Sequence, residues 1–148
     1  EEDCSQDRLV GFQLALAEAG ITFDQSLAFE GDWSASSGRD ALLDFVKKNN
    51  VPTAIFAQND RMAMGVMRAA RDVNLSVPDQ LSVIGVDDMP LSSYFDPPLT
   101  TMRQDMPLIG QEAVRKLMEI FNKKIVEPSV MKLPAQLVVR QSTQKGGG

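Results

Sequence analysis

Apolar residues recur at helical spacing in some stretches of this chain and as short continuous runs in others, and the two kinds of stretch alternate. Leu9, Phe12 and Leu16 fall on one face of a helix that Ser5 can cap and that runs to about Glu18, with Gly20 at its C-terminal end. Leu27 to Glu30 reads as a short strand. Ser34 or Ser36 opens a second helix carrying Leu42, Phe45 and Val46, with Lys47 and Lys48 in its last turn, where positive charge complements the helix dipole. Pro52 stops it, and Thr53 to Ala57 reads as a buried, mostly apolar strand. Asn59 or Asp60 starts a third helix with Ala63, Val66, Met67 and Ala70 facing inwards. Pro78 breaks the next loop, Leu81 to Val86 is another buried strand, and Asp87 to Pro98 is a long irregular loop. Leu99 to Arg103 is extended. Asp105 and Pro107 then mark a helix start, followed by an apolar stripe of Ile109, Ala113, Leu117 and Ile120. Val130 to Leu133 and Leu137 to Val139 are two last extended pieces, and the glycine-rich tail Gln144 to Gly148 is expected to be disordered.

Strands separated by helices of this length predict right-handed crossovers. The fold class is therefore α/β, a mainly parallel sheet with helices on both faces. Ligands of such sheets bind beyond the carboxyl ends of the strands. There this chain places Asn59 and Asp60 after one strand, Asp87 and Asp88 after the next, Gln104 and Asp105 after a third, and Trp33 after the short strand ending at Glu30. The set suits a carbohydrate. A carboxylate accepts from two adjacent hydroxyls, an Asn both donates and accepts, and a flat indole covers the CH face of a ring.

Each residue also has a plainer reading. Asn59 and Asp60 can simply cap the following helix, a role compatible with ligand contact for Asn59. Asp87 and Asp88 can be loop residues, with Asp87 making a turn. Trp33 is the chain's only tryptophan and can belong to the core, and Met62, Met64 and Met67 suit a core or an interface.

Composition narrows the chemistry. At 148 residues the chain fits one domain with a real core, and a net charge of −5 with dispersed basic residues makes it a poor ligand for DNA by itself. Cys4 is the only cysteine and histidine is absent, which removes an internal disulfide, multi-cysteine metal sites and every histidine-dependent catalytic scheme. The glycines form no phosphate loop. No cofactor, metal or catalysis is expected, nor any membrane span or secretion signal, so a cytoplasmic location is.

The segments Arg8 to Phe12, Gly31 to Ser34, Pro52 to Asp60, Ser82 to Asp88 and Pro97 to Thr101 with Gln104 together resemble the lactose/galactose repressor family of bacterial transcriptional regulators, in order and spacing, up to about Thr143. The resemblance implies a periplasmic-binding-protein-like subdomain whose effector pocket includes Arg8, Trp33, Asn59, Asp87 and Gln104. Arg8 enters only by this route, where a guanidinium fork suits sugar hydroxyls. Otherwise it reads as an exposed ion-pair partner on the first helix. The resemblance also implies that 1–104 is the effector-binding C-terminal subdomain, incomplete at its start for want of a strand before Cys4. Residues 105–133 would cross to a first subdomain, 134–143 would return as a strand, and 144–148 would be tail. A helix-turn-helix domain outside this chain would bind operator DNA, and the protein would act as a homodimer, with Met64, Tyr94 and Phe95 at the interface or in the core. The fragment is expected to bind effector weakly and to associate with itself through Ile109, Leu117 and Ile120. Two rivals remain: an exported sugar-binding protein of a transport system, and an enzyme using Asp87 and Asp88, which the missing histidine, phosphate loop and metal cluster disfavour.

Overall fold

A computed structural model describes residues 3–122 and 130–144. Helix α1 (Asp3–Glu18) is followed by a 3-10 turn (Gln25–Leu27), α2 (Ala35–Lys47), β1 (Ala54–Phe56), α3 (Asp60–Asp72) and β2 (Ser82–Val86). A second 3-10 segment (Pro90–Tyr94) leads to β3 (Thr100–Arg103), α4 (Met106–Phe121) and β4 (Gln136–Val138). The strands lie in the order β1-β2-β3-β4, the first three parallel and β4 antiparallel to β3.

Alternation along the strands assigns the faces. Ile55 is level with Val83, and both pack with the core that Leu42 of α2 and Ala63, Val66, Met67 and Ala70 of α3 complete. Phe56, level with Ile84, points the other way, and its ring stacks on Phe12 of α1 at 5.7 Å with planes 15° apart. Helices thus cover both faces of a mainly parallel sheet. After β4 the chain runs on past the start of β3, where the Gln141 N–H donates to the Pro98 carbonyl and the Val83 N–H to that of Ser142. The Ser142 hydroxyl donates to the Val83 carbonyl (2.6 Å) and accepts from the Thr100 N–H (2.8 Å), tying β2 to β3.

Several expectations need correcting. Ser5 caps no helix, because α1 already runs from Asp3 and encloses it. Leu27 to Glu30 forms no strand: Gln25–Leu27 is a 3-10 turn capped by Asp24, and Ala28 to Glu30 pair with no strand. Among the described residues β1 pairs only with β2, so no neighbouring strand is present to take up the backbone groups of that segment. For the same reason β1 is an edge rather than a buried strand, with Ala54 exposed and Ile55 and Phe56 half-buried. Val130 to Leu133 is not a strand either, β4 being confined to Gln136–Val138. The apolar stripe of α4 forms as expected, but the helix buries none of its residues. Of the tail, Lys145 to Gly148 lie outside the described residues. Gln144 is tied in, its N–H donating to the Ser82 hydroxyl (3.3 Å) and its amide to the Asp79 carbonyl (3.0 Å).

Candidate functional site

The site grows from the start of α3. Asn59 caps that helix, its side-chain oxygen accepting from the Met62 N–H at 2.7 Å. Its amide nitrogen donates to the Trp33 carbonyl at 3.0 Å. One side chain therefore both starts a helix and pins the loop before α2, so capping and site-building coexist. Trp33 sits in left-handed backbone (φ 67°), and the Arg8 guanidinium from α1 lies over its ring, 5.7 Å from the centroid. The same guanidinium donates to the Gln58 carbonyl at 2.7 Å, which fixes α1 against the end of β1.

Asp87 follows β2. Its backbone is also at positive φ (109°), and its N–H still donates to the Met102 carbonyl of β3 (2.8 Å), so the turn leaves the sheet abruptly. The side chain accepts from the Gln104 amide at 2.9 Å. Burial raises the Asp87 carboxyl above its ordinary range, against the hydrogen bond from Gln104 and the positive charges of Arg8 and Arg61, which pull it down.

These side chains converge. Arg8, Trp33, Asn59 and Asp87 line one open cavity of about 590 Å³, together with Cys4, Arg61 and Met89. Gln104 does not line it but donates to the Asp87 carboxylate. Arg61, Met89 and Cys4 escaped the sequence reading. For Arg61 a signal existed: side chains of a helix's first turn lean back towards its N-terminus, so a residue two places after the cap overhangs the same rim.

The two other carboxylates nearby are structural. Asp60, fully buried, accepts from the Met89 N–H (2.8 Å), the Ser92 hydroxyl (2.5 Å) and the Thr101 hydroxyl (2.6 Å), and so moors the loop after β2. Asp88 is held between Arg103 and Arg140, each at 2.6 Å. Its burial works to raise the carboxyl, but the hydrogen bonds and charges of Arg140 and Arg103 outweigh it and hold Asp88 below its usual value. Neither is loop solvation.

Hydroxyl-accepting carboxylate, two guanidiniums, an amide and an indole face equip the cavity to hold a polyol. Among the described residues no group of three acidic, Cys or His side chains is placed to hold a metal ion. A second cavity of about 560 Å³ runs between α1, α2 and the free edge of β1, walled by Leu9, Phe12, Ala41, Phe45 and Ile55, and offers mostly apolar contact. Of the residues considered for an interface, Tyr94 is 83% exposed and Met64 40%, whereas Phe95 is half-buried and packs on the core.

The family model for the periplasmic binding protein-like domain matches residues 1–143. The transcriptional repressor PurR of Photobacterium profundum is 38% identical over 144 residues, covering 97% of this chain and 43% of that protein. Catabolite control protein A of Priestia megaterium is 39% identical over 137 residues, covering 93% and 41%. Among solved structures, the Lac repressor bound to ONPG in its repressed state aligns with a TM-score of 0.87 at 38% identity, covering 95% of this chain and 42% of that one. A complex of the transcriptional regulator CelR with cellobiose aligns at 0.86 and 32% identity, covering 91% and 41%. The chain thus spans less than half the length of these relatives.

Proposed function

Because this chain belongs to the periplasmic binding protein-like domain family, in the form that lactose/galactose-type repressors use to bind effectors, we propose that it is the sugar- or metabolite-sensing region of a bacterial transcriptional repressor. The observation that carries the reading is the convergence of Arg8, Trp33, Asn59 and Asp87 on one cavity, with Gln104 bracing Asp87. Such a site grips hydroxyls without transforming them. Asp87 accepts from neighbouring hydroxyls, Asn59 and Arg8 donate, and the Trp33 ring covers a CH face. The cellobiose complex of a relative supports a carbohydrate as ligand class, and the regulatory relatives favour a binding role over an enzyme or an exported transport protein.

In the whole protein, residues 1–104 and 134–143 act as one effector subdomain and 105–133 as the crossing to another. A helix-turn-helix domain outside this chain contacts operator DNA, and the protein works as a cytoplasmic homodimer with Met64 and Tyr94 at or near the contact. Effector binding favours one arrangement of subdomains over the other. A coupling of about 1–3 kcal/mol is enough to change operator occupancy severalfold or more. The test is calorimetric titration of the full-length protein with a panel of sugars, with operator binding measured alongside. In the best binder's titration, Asp87→Asn should weaken affinity by about tenfold or more, the worth of a hydrogen bond to a charged group, and leave thermal unfolding in place. Unchanged affinity in that variant would remove the site from the reading.

A further inference from the structure

The cavity carries more positive charge than a neutral sugar requires. Arg8 and Arg61 both line it, and among the described residues Asp87 is the one carboxylate that does. The two other described carboxylates nearby, Asp60 and Asp88, do not line the cavity. Asp60 spends its oxygens on Met89, Ser92 and Thr101, and Asp88 is clamped between Arg103 and Arg140. Among the described residues Arg8, Arg61 and, outside the cavity, Arg71 form no ion pair, whereas Arg39, Arg68, Arg103, Arg115 and Arg140 do; of the two in the cavity, Arg8 also donates to the Gln58 carbonyl. Helix α3 also begins at this rim, with its partial positive end towards the cavity. Both guanidiniums line the same cavity as Asp87, so a single ligand there can meet all three.

Resting on the sensor reading above, we propose that the effector is an anionic sugar derivative, a hydroxylated ring bearing a phosphate ester or a carboxylate, whose oxyanion is received by Arg61 together with Arg8. The planar fork of a guanidinium matches two oxyanion oxygens at once. Asp87 then reads ring hydroxyls on the other side of the cavity and repels an anion placed there, which orients the ligand.

The test is titration calorimetry of the full-length protein with glucose and galactose, their 6-phosphates and their uronic acids, at low and high salt, for the wild type, Arg61→Gln and Arg68→Gln. At least one anionic form should bind about tenfold or more tightly than its neutral parent, and the advantage should shrink as salt rises. The phosphate and uronate arms identify which oxyanion is meant. In Arg61→Gln the ratio of anionic to neutral affinity should collapse. Arg68→Gln, on the same helix but paired with Asp72 outside the site, should keep it. Neutral hexoses binding in an Asp87-dependent way as tightly as both anionic series would overturn the anion preference and leave the sensor reading standing. Binding by none of the six compounds would overturn the inference, while the sensor reading stands or falls on the wider sugar panel above.

Discussion

The backbone of Asp87 runs at φ 109° and that of Trp33 at φ 67°, conformations that L residues with bulky or branched side chains seldom adopt. Positions like these cost on the order of 1–3 kcal/mol and persist where the surroundings impose them. Both belong to the candidate site, while the other left-handed residues, Asn49, Asn74 and Asp88, do not line it. Asp87→Gly should relieve the backbone and remove a desolvated carboxylate, partly offset by glycine's greater freedom in the unfolded chain. A gain of about 1 kcal/mol in urea unfolding is expected, with sugar binding lost. A variant that was less stable than the wild type would show that the Gln104 contact outweighs the strain. Acid separates the two adjacent carboxylates. Asp88 has a depressed folded-state value, so its contribution to stability is complete above the ordinary carboxylate value of 3.8 and is lost as pH falls through its lower one. Asp87 is raised, so its ionised form costs stability at neutral pH, and protonation on acidification relieves that cost while removing the hydroxyl acceptor. Ligand affinity should therefore fade on acidification before the fold does. Affinity and circular dichroism followed over the same pH series check the order, and coincident losses would refute it. Position at a strand's carboxyl end makes Asp87 legible in the sequence. The roles of Asp60 and Asp88 are not, because partners 15 to 52 residues away decide them.

At the scale of elements, α2 and α3 meet backbone to backbone, and that contact aims the site. A Cβ on Gly65 would lie 1.8 Å from the Ala35 carbonyl oxygen, and one on Gly38 would lie 2.1 Å from that of Met62. Neither obstacle is a side chain that can swing aside, so the helices must part. Overpacking of a core commonly costs about 1–3 kcal/mol, and Gly65→Ala should reach the upper end of that range in urea unfolding. It should also disturb binding, since α3 carries Asn59 and Arg61 at its start and α2 begins just after Trp33. An Ala variant with wild-type stability would mean that the helices separate freely. Helices α2, α3 and α4 were legible because each has a cap and a periodic apolar face: Ser34, Asn59 and Asp105 all cap as their side chains suggest, whereas Ser5 lies inside α1, which already runs from Asp3. The strands were less so. An apolar run such as Leu27 to Glu30 has the composition of a strand, but pairing is a property of the neighbour, and Phe29 instead stays 43% exposed.

For the molecule as a whole, the decisive feature is α4. Its periodicity was plain in the sequence, but a stripe of apolar residues says only that something should cover it, not that anything in the same chain does. Leu117 is 50% exposed, Ile120 59% and Phe121 70%, with Val114 and Met118 beside them in the same range. Bare apolar surface of this kind on one helix is unusual for a chain that stays monomeric, because each buried side chain contributes about 1.5–3 kcal/mol when water is excluded from it. Two copies pressing these faces together would bury several such side chains at once, and helices of sixteen residues are long enough to pack side by side over four turns. The 148-residue chain by itself should therefore sediment above its monomer mass of 16.2 kDa, increasingly so with concentration. Replacing Leu117 and Phe121 together by Lys should return it to that mass without loss of the α2–α3 core, which lies elsewhere in the structure. The free edge of β1 offers a competing route, through strand pairing rather than helix packing. The Lys pair separates the two, because association through the edge would survive it, and a wild-type chain that holds the monomer mass at every concentration would exclude both.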